Sequence, residues 1–200
     1  LALARGEYAQ AESYLQQERV HLEQVLHPLH PALAANLNDF AMLSIAMGKY
    51  KQAEPLLKQS LIILEQSVGL QHPIAGSTLD TLGRLAYLRR EYGTAEQFLQ
   101  KAQSIREQVL GVEHPDVLST VNNLADVYAK QSKWNVAEEL YKDVLASRMR
   151  LLGTDHPAVA QTLQCMAQLY YVHGQYDYAE HMYKKVLALR KKVLGLDHPD

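Results

Sequence analysis

Between Pro115 and Gln131 the apolar and small residues Val121, Leu124, Ala125 and Tyr128 follow the i, i+3, i+4, i+7 spacing of a helix with one buried face. After a short turn, Trp134 to about Leu152 repeats that pattern through Ala137, Tyr141, Val144 and Leu145 until Gly153 stops it. The two segments predict an antiparallel helix pair, A then B. Such a hairpin cannot cover its own apolar faces and must stack on another of its kind.

The sequence supplies the others. His-Pro stands at His30-Pro31, His72-Pro73, His114-Pro115, His156-Pro157 and His198-Pro199, each 42 residues after the last. Ala-Glu keeps the same period at Ala11, Ala53, Ala95, Ala137 and Ala179, each preceded at three residues by an aromatic, Tyr8, Tyr50, Tyr92, Trp134 or Tyr176. Two independent registers over five copies define an array. Its units are a partial repeat over 1–29 that is mainly helix B, full repeats at 30–71, 72–113, 114–155 and 156–197, and the start of another at 198–200. With a chain that begins late in one helix A, without an initiating Met or a polar capping repeat at either end, the expectation is of further repeats or domains on both sides.

Individual positions refine the packing. Small residues recur in helix A at Ala41, Gly83, Ala125 and Ala167 and in the helix B column that begins at Ala11, where two helices must approach closely. The A–B turn has Gly6, Gly48 and Gly174 but also Arg90 and Ser132, so a left-handed backbone there is not expected to be obligatory. Pro55 lacks an N–H and is expected to disturb the first turns of its helix. In the first unit Glu18 stands where Ser60, Ala102, Val144 and Val186 follow, and His27 replaces a glycine, which makes that unit's packing the least secure.

These columns, and the recurring LG-x-[DE]-HP-x-V seen in LGVEHPDV and LGTDHPAV, resemble the tetratricopeptide repeat (TPR) over the whole chain. The 42-residue period resembles the long repeats of kinesin light chains and related proteins. The resemblance implies an all-α, right-handed superhelical solenoid of antiparallel helix pairs, and a non-enzymatic scaffold that binds a peptide or helical segment of a partner in a concave groove. Its groove columns correspond here to Asn38, Asp39, Met42 and Ile45; to Asp80, Thr81, Arg84 and Tyr87; to Asn122, Asn123, Asp126 and Lys130; and to Gln164, Cys165, Gln168 and Tyr171. Amides dominate, and an amide that donates and accepts suits the alternating N–H and C=O groups of an extended peptide. Kinesin light chains favour basic groove side chains for acidic cargo peptides. Arg84 and Lys130 are offset here by Asp39, Asp80 and Asp126, so that preference is not carried over.

Composition narrows the alternatives. The 200 residues are 48% hydrophobic and 21% charged with a net charge of −2, which gives no reason to expect nucleic acid as the main partner. No stretch reaches the ~18 to 20 apolar residues of a membrane span, so membrane insertion is not expected. The single cysteine, Cys165, precludes an internal disulfide framework and fits a reducing, cytoplasmic setting.

Candidate chemistry has plain structural readings. Neighbouring repeats stack roughly 10 Å apart, whereas zinc requires ligands within about 2.0 to 2.3 Å of one point. The His-Pro column therefore reads as helix punctuation, His as N-cap and Pro as first helical residue, and no metal or cofactor is expected. Cys165 lies about 12 Å along one helix from His173, and neither that histidine nor His181 makes it a nucleophile; no catalytic residues are expected. The basic residues Arg106, Arg148 and Arg190, with Arg150, Lys191 and Lys192, read as favourable charge at the end of helix B. The alternatives to groove binding are a spacer or self-association module, in which uncapped repeats stack end to end, and a regulatory arm of a larger multidomain protein.

Overall fold

A computed structural model describes residues 7–194; Gly6, the segment His198–Asp200 and the repeat expected to begin there lie outside the described residues. Every regular element among them is an α-helix. The chain divides into two compact units, Leu1–Gly111 and Val112–Asp200.

The first unit holds α1 (Tyr8–Val25), α2 (Pro31–Ala46), α3 (Tyr50–Ser67), α4 (Pro73–Leu88) and α5 (Tyr92–Leu110). Each packs on the next, and α2 also touches α4. The second unit holds α6 (Pro115–Lys130), α7 (Trp134–Leu152), α8 (Pro157–Val172) and α9 (Tyr176–Leu194), packed in the same manner with α6 against α8. Helices A are thus α2, α4, α6 and α8, and the remaining helices are helices B.

Local chemistry sets these boundaries. At every described helix A the histidine before the proline is extended and its Nδ1 accepts the N–H two residues on: Ala32 to His30 at 3.2 Å, Ile74 to His72 at 3.2 Å, Asp116 to His114 at 3.2 Å and Ala158 to His156 at 3.1 Å. Proline at the first helical position loses no hydrogen bond, because that N–H has no intrahelical acceptor. Gly111 and Gly153 end α5 and α7 at φ 86° and 85°.

The A–B turn differs from expectation. All four described copies are left-handed, Arg90 at φ 64° and Ser132 at 61° as much as Gly48 at 71° and Gly174 at 79°. The reason lies in the hydrogen bonds. Lys49 N–H reaches Ser44 O and Gly48 N–H reaches Ile45 O; the pairs Glu91–Ala86 with Arg90–Tyr87, Lys133–Tyr128 with Ser132–Ala129, and Gln175–Tyr170 with Gly174–Tyr171 repeat this. Each is a Schellman motif, which closes only through a left-handed residue. Pro55 lies inside α3, which runs unbroken from Tyr50 to Ser67 and closes its first turn with Gln52 N–H on Lys49 O at 3.0 Å.

Beyond α1, where Ala11 is half-buried, the small-residue columns are buried: Ala41, Ala53, Ala95, Ala125, Ala137 and Ala167 have no exposed surface. At Gly83 the approach is closest, and a Cβ there would lie 2.5 Å from Leu99 Cγ. The paired glutamate of Ala-Glu ties helix B to the following helix A. Glu54 accepts from Arg89 at 2.6 Å, and Glu138 accepts from the Tyr170 hydroxyl at 2.9 Å.

Arg106 and Arg148 do not decorate the end of helix B. They are 7% and 3% exposed and reach across to helices A. Arg106 donates to Ser77 Oγ at 3.2 Å and pairs with Asp80 at 3.3 Å. Arg148 donates to Ala158 O at 2.9 Å, Thr162 Oγ1 at 2.8 Å and Ser119 Oγ at 3.2 Å. Five directed donors on a long stem can satisfy buried oxygens from two helices at once. Only Arg150, Lys191 and Lys192 of the basic set stand in a last turn.

In the first unit α1 contributes no fully buried side chain. Glu18 has an answering change on α2, since Asn36 Nδ2 donates to Glu18 Oε2 at 2.9 Å.

Candidate interaction surface

The columns proposed for the groove separate into two layers. In the first unit, Asp39 and Arg84 are exposed, while Met42, Ile45 and Tyr87 are half-buried. Tyr87 packs its ring on Tyr92 at 5.7 Å. Asn38, Asp80 and Thr81 are only 7%, 8% and 4% exposed. In the second unit, Lys130, Gln164, Gln168 and Tyr171 are exposed, and Asn123, Asp126 and Cys165 are half-buried. Asn122 is 1% exposed. Counting positions on a single helix placed these side chains together; packing by adjacent helices sinks part of the column.

The sunken layer has its own chemistry. Asn122 Nδ2 lies 3.7 Å from Cys165 Sγ, and Asn38 Nδ2 lies 3.7 Å from Met42 Sδ; in both amides the buried Oδ1 accepts nothing. Asp126 accepts from the Tyr141 hydroxyl at 2.5 Å. Burial raises the Asp126 carboxyl above the usual range against the opposing hydrogen bond from Tyr141. Burial, then the negative charge of Asp126, pushes the Cys165 thiol up to about 12, so it stays protonated and unreactive at neutral pH. Asp80, facing Arg106, is likewise occupied within its own unit.

Of the charged groove residues only Asp39, Arg84 and Lys130 are therefore exposed. Although Asp39 keeps an exposed face, its carboxyl is raised, first by partial desolvation against its neighbours and then by the charge of Glu18, with an opposing hydrogen bond from Asn38. Besides Lys130, the exposed rungs on the second unit are amide and aromatic. Gln164 Oε1 accepts from Arg190 at 2.6 Å, Gln168 Oε1 accepts from Tyr183 at 3.3 Å, and Tyr171, 55% exposed, rests edge-on against Tyr176. Arg190 was absent from the groove set because it stands on helix B; its side chain crosses to α8.

The remaining tyrosines divide. Tyr141 and Tyr170 are core at 1% and 7% exposure, Tyr128 is half-buried under Lys133, and Tyr183 is 38% exposed. Among the described residues no group of three His, Cys, Asp or Glu side chains is placed to hold a metal, and no helix is long and apolar enough to cross a membrane.

Stacked helical hairpins with small residues at the crossings, a capped helix A and a Schellman A–B turn define the class of helical-repeat scaffolds. The tetratricopeptide repeat family profile matches residues 1–66, 33–108, 76–149 and 116–192, and the chain belongs to that family. Solved structures agree. BtubC (BKLC) from P. vanneervenii is 26% identical with a TM-score of 0.74, over 96% of this chain and 75% of that one. A Podosopora anserina protein described as a kinesin light chain with nearly identical TPR-like repeats is 25% identical with a TM-score of 0.69, over 96% and 90%. MamA, at 16% identity and a TM-score of 0.57, shares the fold alone. No curated protein sequence matches significantly. Arrays of this type are typically protein-interaction scaffolds.

Proposed function

We propose that the chain is a non-enzymatic scaffold of a reducing, cytoplasmic setting that holds an extended or helical segment of a partner protein on the exposed faces of its helices A. The carrying observation is the pairing of exposed Gln164, Gln168, Tyr171 and Lys130 with the sunken amide of Asn122, whose Oδ1 has no partner. A buried acceptor without a donor costs about 1–3 kcal/mol, and a peptide N–H is a donor of the right kind. The same pairing recurs in the first unit, where Asn38 lies beside Asp39 and Met42. Exposed charge favours neither strongly acidic nor strongly basic peptides.

The test is to select peptides from a displayed random library against the whole chain and map their contacts by amide chemical shifts. Shifts concentrated at Lys130, Gln164, Gln168 and Tyr171 are expected. Shifts confined to helix B would overturn the reading.

A further inference from the structure

The first unit contains a cavity of about 300 Å³ between α1, α2 and α3, and none of its lining residues belongs to the groove columns. Leu26, Pro28, Leu33, Leu37 and Ile63 form the apolar part of the wall, and Gln59 of α3, exposed to solvent, adds a polar side chain at its rim. Arg19 and Glu23, also in the lining, pair with each other at 2.8 Å, so neither is left to select a charged guest.

One lining residue is polar and shut away. Asn36 is 2% exposed. Both of its Nδ2 hydrogens are engaged, one on Leu15 O at 3.1 Å and one on Glu18 Oε2 at 2.9 Å. That fixes the amide's orientation chemically, because turning it over would set its oxygen against a carbonyl and a carboxylate. Its Oδ1 is then the end without a partner, and it has none in this structure.

The other repeats solve this position differently. The equivalent residues Thr78, Thr120 and Thr162 are fully buried, and each hydroxyl donates to the carbonyl four residues back, on Ile74, Asp116 and Ala158. In sequence, the helix B residue that precedes each threonine by the spacing of Glu18 to Asn36 is Ser60, Ala102 or Val144, and within the first unit Ser60 Oγ lies 3.0 Å from Thr78 Oγ1. Glu18 and Asn36 therefore depart together, and what their pairing adds is a fixed acceptor in an apolar wall.

We infer that this cavity is a binding site for a small neutral organic molecule, apolar over most of its surface and carrying one hydrogen-bond donor for Asn36 Oδ1. Its volume sits at the lower end of small-molecule sites, enough for a single substituted ring. The donor is required because the site offers an acceptor, and neutrality because the charges at its wall cancel.

The experiment titrates the whole chain, isotopically labelled on methyl groups, with p-cresol and separately with 4-methylanisole, which has the same ring but no donor. Saturable shifts at Leu33, Leu37 and Ile63 are expected, with p-cresol bound about 3- to 10-fold more tightly, the value of one buried hydrogen bond. Restoring the pair found at Val144 and Thr162, by Glu18→Val with Asn36→Thr, should erase that preference. If that variant fails to fold, Ile63→Phe, which fills the space, should abolish both titrations. The inference is overturned by an absence of saturable shifts, which means that Oδ1 takes only water, by equal affinity for the two probes, or by binding that survives Ile63→Phe.

Discussion

Gly83→Ala sets two known effects against each other at a crossing of α4 and α5. In an exposed helix interior the change stabilises by about 1 kcal/mol, because alanine is the better helix former. At Gly83 the new Cβ would lie 2.5 Å from Leu99 Cγ, 2.8 Å from Leu99 Cδ2 and 3.3 Å from Ala95 O. Ordinary contact begins near 3.4 Å, so Leu99 or the helix must retreat by about 0.9 Å, the difference between 3.4 and 2.5 Å. Leu99 has no exposed surface and Ala95 O is backbone, so neither yields freely. Overpacking of this kind costs about 1–3 kcal/mol, and the expected net is a loss of about 1 kcal/mol despite the gain in propensity. Urea unfolding followed by helical circular dichroism measures it. Gly93→Ala is the control, since nothing lies within 4 Å of its added methyl and only the propensity gain should appear. On a Leu99→Ala background the clash disappears and Gly83→Ala should become stabilising. A Gly83→Ala protein as stable as its parent, or unchanged coupling on that background, would refute the close-approach argument.

Three further outcomes follow from the same structure. Arg90→Gly and Ser132→Gly should each raise stability by about 0.5–1 kcal/mol in urea titrations, because both residues are held left-handed at φ 64° and 61°. The Asp126 carboxyl is raised on folding, so its destabilising effect is absent below the unfolded value near 3.8 and accumulates as pH rises through the folded value. Asp126→Asn, which keeps an acceptor for Tyr141, should therefore gain on the parent across that window and hold a constant advantage at neutral pH, measured by melting at pH 3 to 7. With its thiol pushed up to about 12, native Cys165 should react with iodoacetamide about a thousandfold more slowly at neutral pH than a cysteine near its ordinary value, and at the ordinary rate once unfolded.

What the sequence disclosed, and what it did not, follows the range of the interactions. Helix starts were legible because His-Pro acts within four residues, as the His114 cap on Asp116 N–H shows. The handedness of the A–B turn was not, because Arg90 and Ser132 are residues that rarely adopt it and the deciding hydrogen bonds run backwards into helix A. Arg106 and Arg148 looked like charges at a helix end until the oxygens of Asp80, Ser77, Ala158 and Thr162 were seen around them. Asn122 shared a column with exposed Gln164, but burial is set by neighbouring helices, and its amide sits against Cys165, 43 residues on. Asn36 carries no signal of its own in the sequence beyond the departure of Glu18 from its column, because the two meet only when α1 packs on α2.

The proposed function rests on binding of a protein segment to the exposed rungs of helices A. Its most direct test is the affinity of a library-selected peptide for the parent chain and for a chain carrying Gln168→Ala with Tyr171→Ala, both exposed on α8. Loss of an aromatic anchor at an interface costs about 2 kcal/mol or more, so binding should weaken at least about tenfold while helical circular dichroism is unchanged. The control Glu139→Ala, on exposed surface of α7, should bind as the parent does. Equal affinity in all three chains would mean that these rungs do not hold the peptide.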